Sequence, residues 1–172
     1  MPESRWERAT LGLGGNIGEP AHAMALALRE LEGRDDCRVA AVSRLYKTPP
    51  WGKIDQSFFF NACAAVDTRL TPEALLDLCL DIERRMKRER IERWGPRTLD
   101  IDILTFGNVV QEAPRLEIPH PRMIERAFVL MPLADIAPHL EVSGKTIAGW
   151  LEAIDTTGIE VADGDTKWWQ RY

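Results

Sequence analysis

Cysteine and histidine are scarce, with three of each in 172 residues. Cys37, Cys63 and Cys79 form no C-x-x-C pair, so the sequence offers neither a disulfide framework nor the ligand spacing of a zinc site. Long apolar runs are missing as well. The longest, such as Phe58–Phe60 and Phe128–Leu133, fall far short of the roughly 20 residues needed to span a bilayer. The stretch from Met1 to Arg8 is charged and has no apolar signal segment. These absences give the expectation of a cytoplasmic protein with no membrane partner. Positive charge is not in excess: 22 Lys and Arg stand against 27 Asp and Glu, for a net charge of −5. That balance argues against nucleic acid as the general partner. No G-x-x-x-x-G-K-[ST] occurs, and the cluster Gly12, Gly14, Gly15 and Gly18 does not complete G-x-G-x-x-G, because Ile17 stands where the third glycine is required. Any nucleotide site is therefore neither of the Walker nor of the dinucleotide-fold kind.

Hydrophobic residues make up 45% and charged residues 28%, the composition of an ordinary globular chain of one domain. One domain over 1–172 is expected, with its core over about 8–155 and a tail, 156–172, that the pattern leaves unassigned. Arg8–Leu13 predicts a strand running into a glycine turn at Gly14-Gly15-Asn16. Pro20 opens a helix through Ala23, Leu26, Ala27 and Leu31, closed at Gly33. Val39–Tyr46 reads as a second strand and Phe58–Asp67 as a third. Thr71-Pro72-Glu73 supplies an N-cap, a first-turn proline and an acidic first turn for a helix carrying Leu75, Cys79, Ile82 and Met86. Leu99–Phe106 alternates as a fourth strand, followed by a turn at Gly107-Asn108 and a short helix near Ile147–Ile154. Strand, helix, strand, strand, helix, strand is the split βαβ order, which predicts an α+β, ferredoxin-like fold with helices on one face of a mainly antiparallel sheet.

Four places can carry chemistry. In Leu99-Asp100-Ile101-Asp102-Ile103, strand alternation puts both aspartates on one face and the apolar residues on the other. Two carboxylates about 6–7 Å apart along the backbone can bracket hard divalent cations; the alternative is an ordinary solvent-facing strand. Just upstream, residues 84–97 hold seven basic side chains against two acidic ones, a net +5 that leaves −10 for the rest of the chain. Such an island suits a compact polyanion, since guanidinium forks bind phosphate oxygens; the alternative is a solvated helix end with Glu89 and Glu92 pairing locally. In Thr48–Asn61, prolines stiffen a loop, and alternation among Phe58, Phe59 and Phe60 turns at least one ring away from the core. A ring beside the Asn61 amide suits a flat heterocycle edge, and simple packing is the competing explanation. His120, held between Pro119 and Pro121, is the fourth; a lone histidine of this kind is often structural.

The run Arg93-Trp94-Gly95-Pro96-Arg97-Thr98-Leu99-Asp100-Ile101-Asp102 closely resembles the signature of the 6-hydroxymethyl-7,8-dihydropterin pyrophosphokinase family. Gly14-Gly15-Asn16, Thr48-Pro49-Pro50, the Asn61 strand, Ile82-Glu83, and Pro119-His120 with Arg126 and Phe128 match in the same order. The resemblance implies transfer of a diphosphate from ATP to the pterin, with release of AMP, in folate biosynthesis. It implies that Asp100 and Asp102 hold two Mg²⁺ ions and that Arg88 and Arg97 serve catalysis with them. Arg88, Arg90, Arg97, Arg126 and His120 would contact the phosphates. Glu83, Ile103 and Arg115 would line the nucleoside side. The pterin would stack between Phe59 and Phe128, with Asn61 and backbone groups of Thr48 and Trp51 reading its edge and Trp94 nearby. The chain departs from the pattern at Phe59, where tyrosine is common, at Gly15, where serine is, and at Pro121, where an aromatic residue is. A monomer is expected. Two rivals remain open at this point: a two-metal nucleotidyltransferase, and a non-catalytic ferredoxin-like binding module.

Overall fold

In the computed structural model, residues 5–16, 18–49, 58–89 and 99–172 are described, residues 87–89 by their backbone alone. The first strand, β1 (Glu7–Gly15), is longer than expected, because Gly14 and Gly15 remain in the ladder opposite Asn61 and Phe60 rather than turning. Helix α1 (Pro20–Glu32) starts at its proline and stops at Gly33 as the punctuation requires. The single strand expected over Val39–Tyr46 is two, β2 (Cys37–Val42) and β3 (Leu45–Thr48), both paired with β4 (Phe59–Thr68). The break has a polar cause: buried Ser43 donates its N–H to the Cys63 carbonyl, accepts the Cys63 N–H on Oγ and donates that hydroxyl to its neighbour's carbonyl.

Helix α2 (Pro72–Glu89) begins under a Thr71 cap, whose hydroxyl accepts the Ala74 N–H at 3.1 Å. Leu75, Cys79, Ile82 and Met86 are buried, as their spacing predicts. Strand β5 (Asp100–Phe106) follows, and Gly107, at φ +51°, makes the turn after it, a conformation glycine reaches without strain. A small hairpin, β6 (Gln111–Glu112) and β7 (Glu117–Ile118), leads to α3 (Ala127–Ile136); β8 (Glu141–Val142), β9 (Lys145–Thr146), α4 (Ile147–Glu152) and β10 (Glu160–Asp163) complete the chain.

The main sheet runs β10-β3-β4-β1-β5, with β2 also on β4, and its described pairs are antiparallel. This is the expected ferredoxin-like α+β order. Helices α1 and α2 cover one face, where Ala9, Leu11 and Leu13 of β1 meet Leu28, Leu31, Leu75 and Ile82. The expectation of helices on one face is too narrow, because α3 packs on the opposite face through Val129, Leu130 and Leu133 against Cys63 and Leu104. α3 escaped the periodic reading because it carries Pro132 inside and is apolar nearly all round, so no amphipathic stripe marks it. Its proline is buried.

Candidate active site

The site is built on the β4-β1-β5 part of the sheet, on the face that α3 covers only in part. Register fixes its width. Gly14 of β1 stands opposite Asn61 of β4 on one side and Asp100 of β5 on the other; Gly12 likewise stands between Cys63 and Asp102. Strands lie about 4.8 Å apart, so Asn61 and Asp100 are roughly 10 Å apart across a backbone-only floor. A side chain at Gly14 would put its Cβ 2.6 Å from Asn61 Nδ2. Glycine is thus demanded there by approach rather than by a turn.

The carboxylates alternate as expected. Leu99, Ile101 and Ile103 are buried in the helical core, whereas Asp100 is half-buried and Asp102 exposed. Two contacts at the edge of β5 hold the pair. Glu83 of α2 accepts the Ile101 N–H on Oε1 at 2.6 Å, gripping the peptide between the two aspartates. His120 donates its own N–H to the Leu104 carbonyl at 2.9 Å. Its Nδ1 accepts the Arg122 N–H at 3.2 Å. Burial lowers the His120 pKa below its ordinary value, a shift that Asp102 opposes and Arg126 reinforces. His120, Asp102 and Arg126 therefore share one electrostatic neighbourhood.

Beside them is a cleft of about 330 Å³ lined by Leu76, Ile101, Asp102, Ile103, Arg115 and His120, among others. The expected nucleoside-side residues Ile103 and Arg115 thus meet, although Arg115 is also paired with Asp77. Glu83 sits on α2 next to this strand, its carboxylate engaged with the backbone.

At the other end, Thr48 pairs with Phe59 across β3 and β4. The Phe59 ring faces away from the core and is 37% exposed. Thr48 Oγ1 is buried with no hydrogen-bond partner among the described residues. Phe128, at the start of α3, is half-buried with the Arg126 guanidinium 5.6 Å from its ring centre. Trp51, Arg90, Trp94, Arg97 and the side chain of Arg88 lie outside the described residues. Arg85, from the same basic island, pairs with Asp81 and Glu30. The three thiols are buried. Burial pushes Cys79 up to about 12 and raises Cys63 and Cys37 too, so they are neutral and inert.

Sequence reasoning missed the clamp behind the site. Asp135 of α3 accepts from Tyr46 Oη at 2.7 Å and from Arg44 through its backbone N–H, Nε and Nη2 at 3.1–3.2 Å. Tyr46 is the direct partner of Asn61 in the sheet. No local pattern links residues 44–46 to residue 135. By contrast, Gly12 and Gly14 at period two were a readable sign of a bare strip.

A family model described as 7,8-dihydro-6-hydroxymethylpterin-pyrophosphokinase (HPPK) matches residues 10–138. The chain belongs to this family. The 2-amino-4-hydroxy-6-hydroxymethyldihydropteridine pyrophosphokinase of Methylorubrum extorquens is 49% identical over 153 residues, 89% of this chain and 97% of the relative. That of Pseudomonas aeruginosa is 45% identical over 159 residues, 92% and 98% of the two chains. Among solved structures, the wild-type HPPK-DHPS of Plasmodium falciparum superposes with a TM-score of 0.69 at 19% identity, over 88% of this chain and 41% of that one. This likeness shows the fold, and this chain spans less than half of that longer one.

Proposed function

We propose that the chain transfers a diphosphate from ATP to the hydroxymethyl oxygen of 6-hydroxymethyl-7,8-dihydropterin, giving AMP and the pterin diphosphate in folate biosynthesis. Family membership supports the reaction. The observation that carries the assignment of its two ends is the register Asn61–Gly14–Asp100, an amide and a carboxylate facing each other over a floor without side chains.

On this reading the pterin lies flat near Asn61, whose amide can both donate and accept along a heterocycle edge. Phe59 and Phe128 supply ring faces, and the Thr48 hydroxyl, buried with no hydrogen-bond partner among the described residues, supplies a group that a ligand can satisfy. Trp51 and Trp94 complete this end. The triphosphate lies toward Asp100, Asp102, His120 and Arg126, joined by Arg88, Arg90 and Arg97. The nucleoside takes the cleft with Ile103, Arg115 and Glu83.

Mg²⁺ fits this donor set. It favours hard oxygen ligands and is commonly held by one or two carboxylates plus substrate phosphates, which agrees with the two aspartates. Asp100 and Asp102 would hold two such ions, which when bound neutralise phosphate charge and make the substrate hydroxyl more acidic. The chain's own part is positional. The glycine floor admits the pterin close to the strand, Glu83 and His120 fix β5, and the arginines absorb charge as the hydroxyl attacks the β-phosphorus and AMP departs. We read the chain as a monomer acting in the cytoplasm; among the described residues no helix is long and apolar enough to cross a membrane.

Incubation with ATP, Mg²⁺ and the hydroxymethyl pterin, followed by nucleotide analysis, tests this. AMP should form, and chelation should stop it. Pyrophosphate as the leaving product would instead establish a nucleotidyltransferase, and failure to convert ATP with any pterin would favour a non-catalytic binding module.

A further inference from the structure

The last 17 residues lie beyond the family model, which ends at residue 138, and the sequence pattern left them unassigned. They form a strap. β10 runs antiparallel to β3, pairing Glu160 with Lys47 and Val161 with Tyr46. Beyond it, Trp168 and Trp169 are buried against α1 in the main core. Trp168 Nε1 donates to the Ser43 carbonyl at 2.9 Å, at the point where β2 gives way to β3. Arg171 pairs with Asp163, and the Tyr172 ring meets His22 of α1 edge-on.

The contacts that Gly158, Glu160 and Val161 make along β3 lead to one end of the site. β3 is only four residues long, and without β10 it would be the sheet edge, with its backbone groups on that side left to solvent. Lys47, ion-paired to Glu160 at 3.7 Å, also lies 5.4 Å from the Phe58 ring centre, next to Phe59. Gly158, at φ +89°, brings its backbone against the Pro49 ring, so that a Cβ there would lie 3.6 Å from Pro49 Cγ. Tyr46, the partner of Val161, is also the partner of Asn61. The strap therefore reaches Asn61, Thr48 and the Phe58–Phe59 pair through one intermediary each, and it has no described contact with Asp100 or Asp102.

We propose that Gly158, Glu160 and Val161 are positioning residues for the pterin: they hold β3 in register and at depth, so that Thr48 and Asn61 present their polar groups to the heterocycle. This rests on the assignment of the pterin to the Thr48–Phe59–Asn61 end. A general stabilising role would affect both substrates alike, whereas this one is confined to one of them.

The test compares the intact chain, a chain ending at Asp155, and Val161→Pro, which disturbs the β10 ladder while keeping the tryptophan anchor. Val161→Pro is decisive if the truncated chain fails to fold. Asn61→Ala in the intact chain serves as the reference. The expected result for Val161→Pro is a rise of about 5- to 20-fold in KM for the pterin, with KM for ATP and kcat within about twofold. Equal changes in both KM values, or none, would overturn the proposal. If Asn61→Ala raises the pterin KM and Val161→Pro does not, the strap role alone falls. If Asn61→Ala leaves that KM unchanged, the pterin assignment falls and takes the strap role with it.

Discussion

The two faces of the sheet are made by the same strands and could hardly differ more. Toward α1 and α2, β1 presents Ala9, Leu11 and Leu13, β4 presents Ala62, Ala64 and Val66, and β5 presents Ile101 and Ile103, all closed over by aliphatic helix residues. Toward α3, the same strands present Gly12 and Gly14, Asn61, and Asp100 with Asp102. α3 and α4 seal only the far part of that face, around Cys63 and Leu104. A period of two lets one set of backbones serve both tasks, so the side chains that stabilise the fold and those that meet substrate need not compete for positions. Like charges at 100 and 102 cost stability on their own, and the aliphatic face opposite supplies it.

This contrast can be broken experimentally. Asp102→Ala should have the largest effect: a loss of roughly 10³-fold or more in kcat for AMP release, with Tm close to that of the parent. A near-normal rate in Mg²⁺ would end the account of the site. Ile82→Ala, on the opposite face, should reverse the pattern. It should cost about 2–5 kcal/mol in denaturant unfolding while leaving both KM values alone; a selective loss of substrate affinity would show that the two faces are not separate. Gly14→Ala belongs to the site face. Its new Cβ collides with the Asn61 amide, so the pterin KM should rise about tenfold with little change in the ATP KM, measured by initial rates.

The smallest effect should come from the rim of the sheet, far from either task. Arg8 pairs across β1 and β4 with Asp67 through two hydrogen bonds at 2.7 and 2.9 Å. The guanidinium holds the Asp67 carboxyl below its ordinary value. A carboxylate with a lowered folded-state pKa adds stability above its unfolded value, and that stability disappears as pH falls through the folded one. Arg8→Gln should therefore flatten the Tm profile below about pH 4 by an amount within the ~0–1 kcal/mol typical of surface pairs, with activity untouched. An unchanged acid profile would show that the pair contributes nothing.

Much of this was legible in the residues. Proline, glycine and threonine caps marked α1 and α2, alternation marked β5 and the facing of its aspartates, and the order of elements gave the fold. What was hidden depends on contacts distant in sequence. The break between β2 and β3 is made by Ser43 bonding to Cys63, twenty residues away. α3 is recognisable only by what it covers. The last residues look polar, yet Trp168 and Trp169 tie them into the core. At the site, the residue types were readable, but their facing across Gly14 depends on register, which no local pattern states.

One irregularity has a consequence for how this strand can vary. β1 residues Thr10 and Leu11 pair with Thr105 and Ile103, leaving Leu104 as an extra residue opposite no partner. The bulge resets the odd–even phase of the chain: Ile103 and Phe106 both reach the aliphatic side, although three positions separate them. A residue gained or lost beyond the bulge, toward the Gly107 turn, can be absorbed without moving the acidic pair. The same change between Asp100 and Asp102 would invert the phase on one side of it, so that the two carboxylates could no longer share a face.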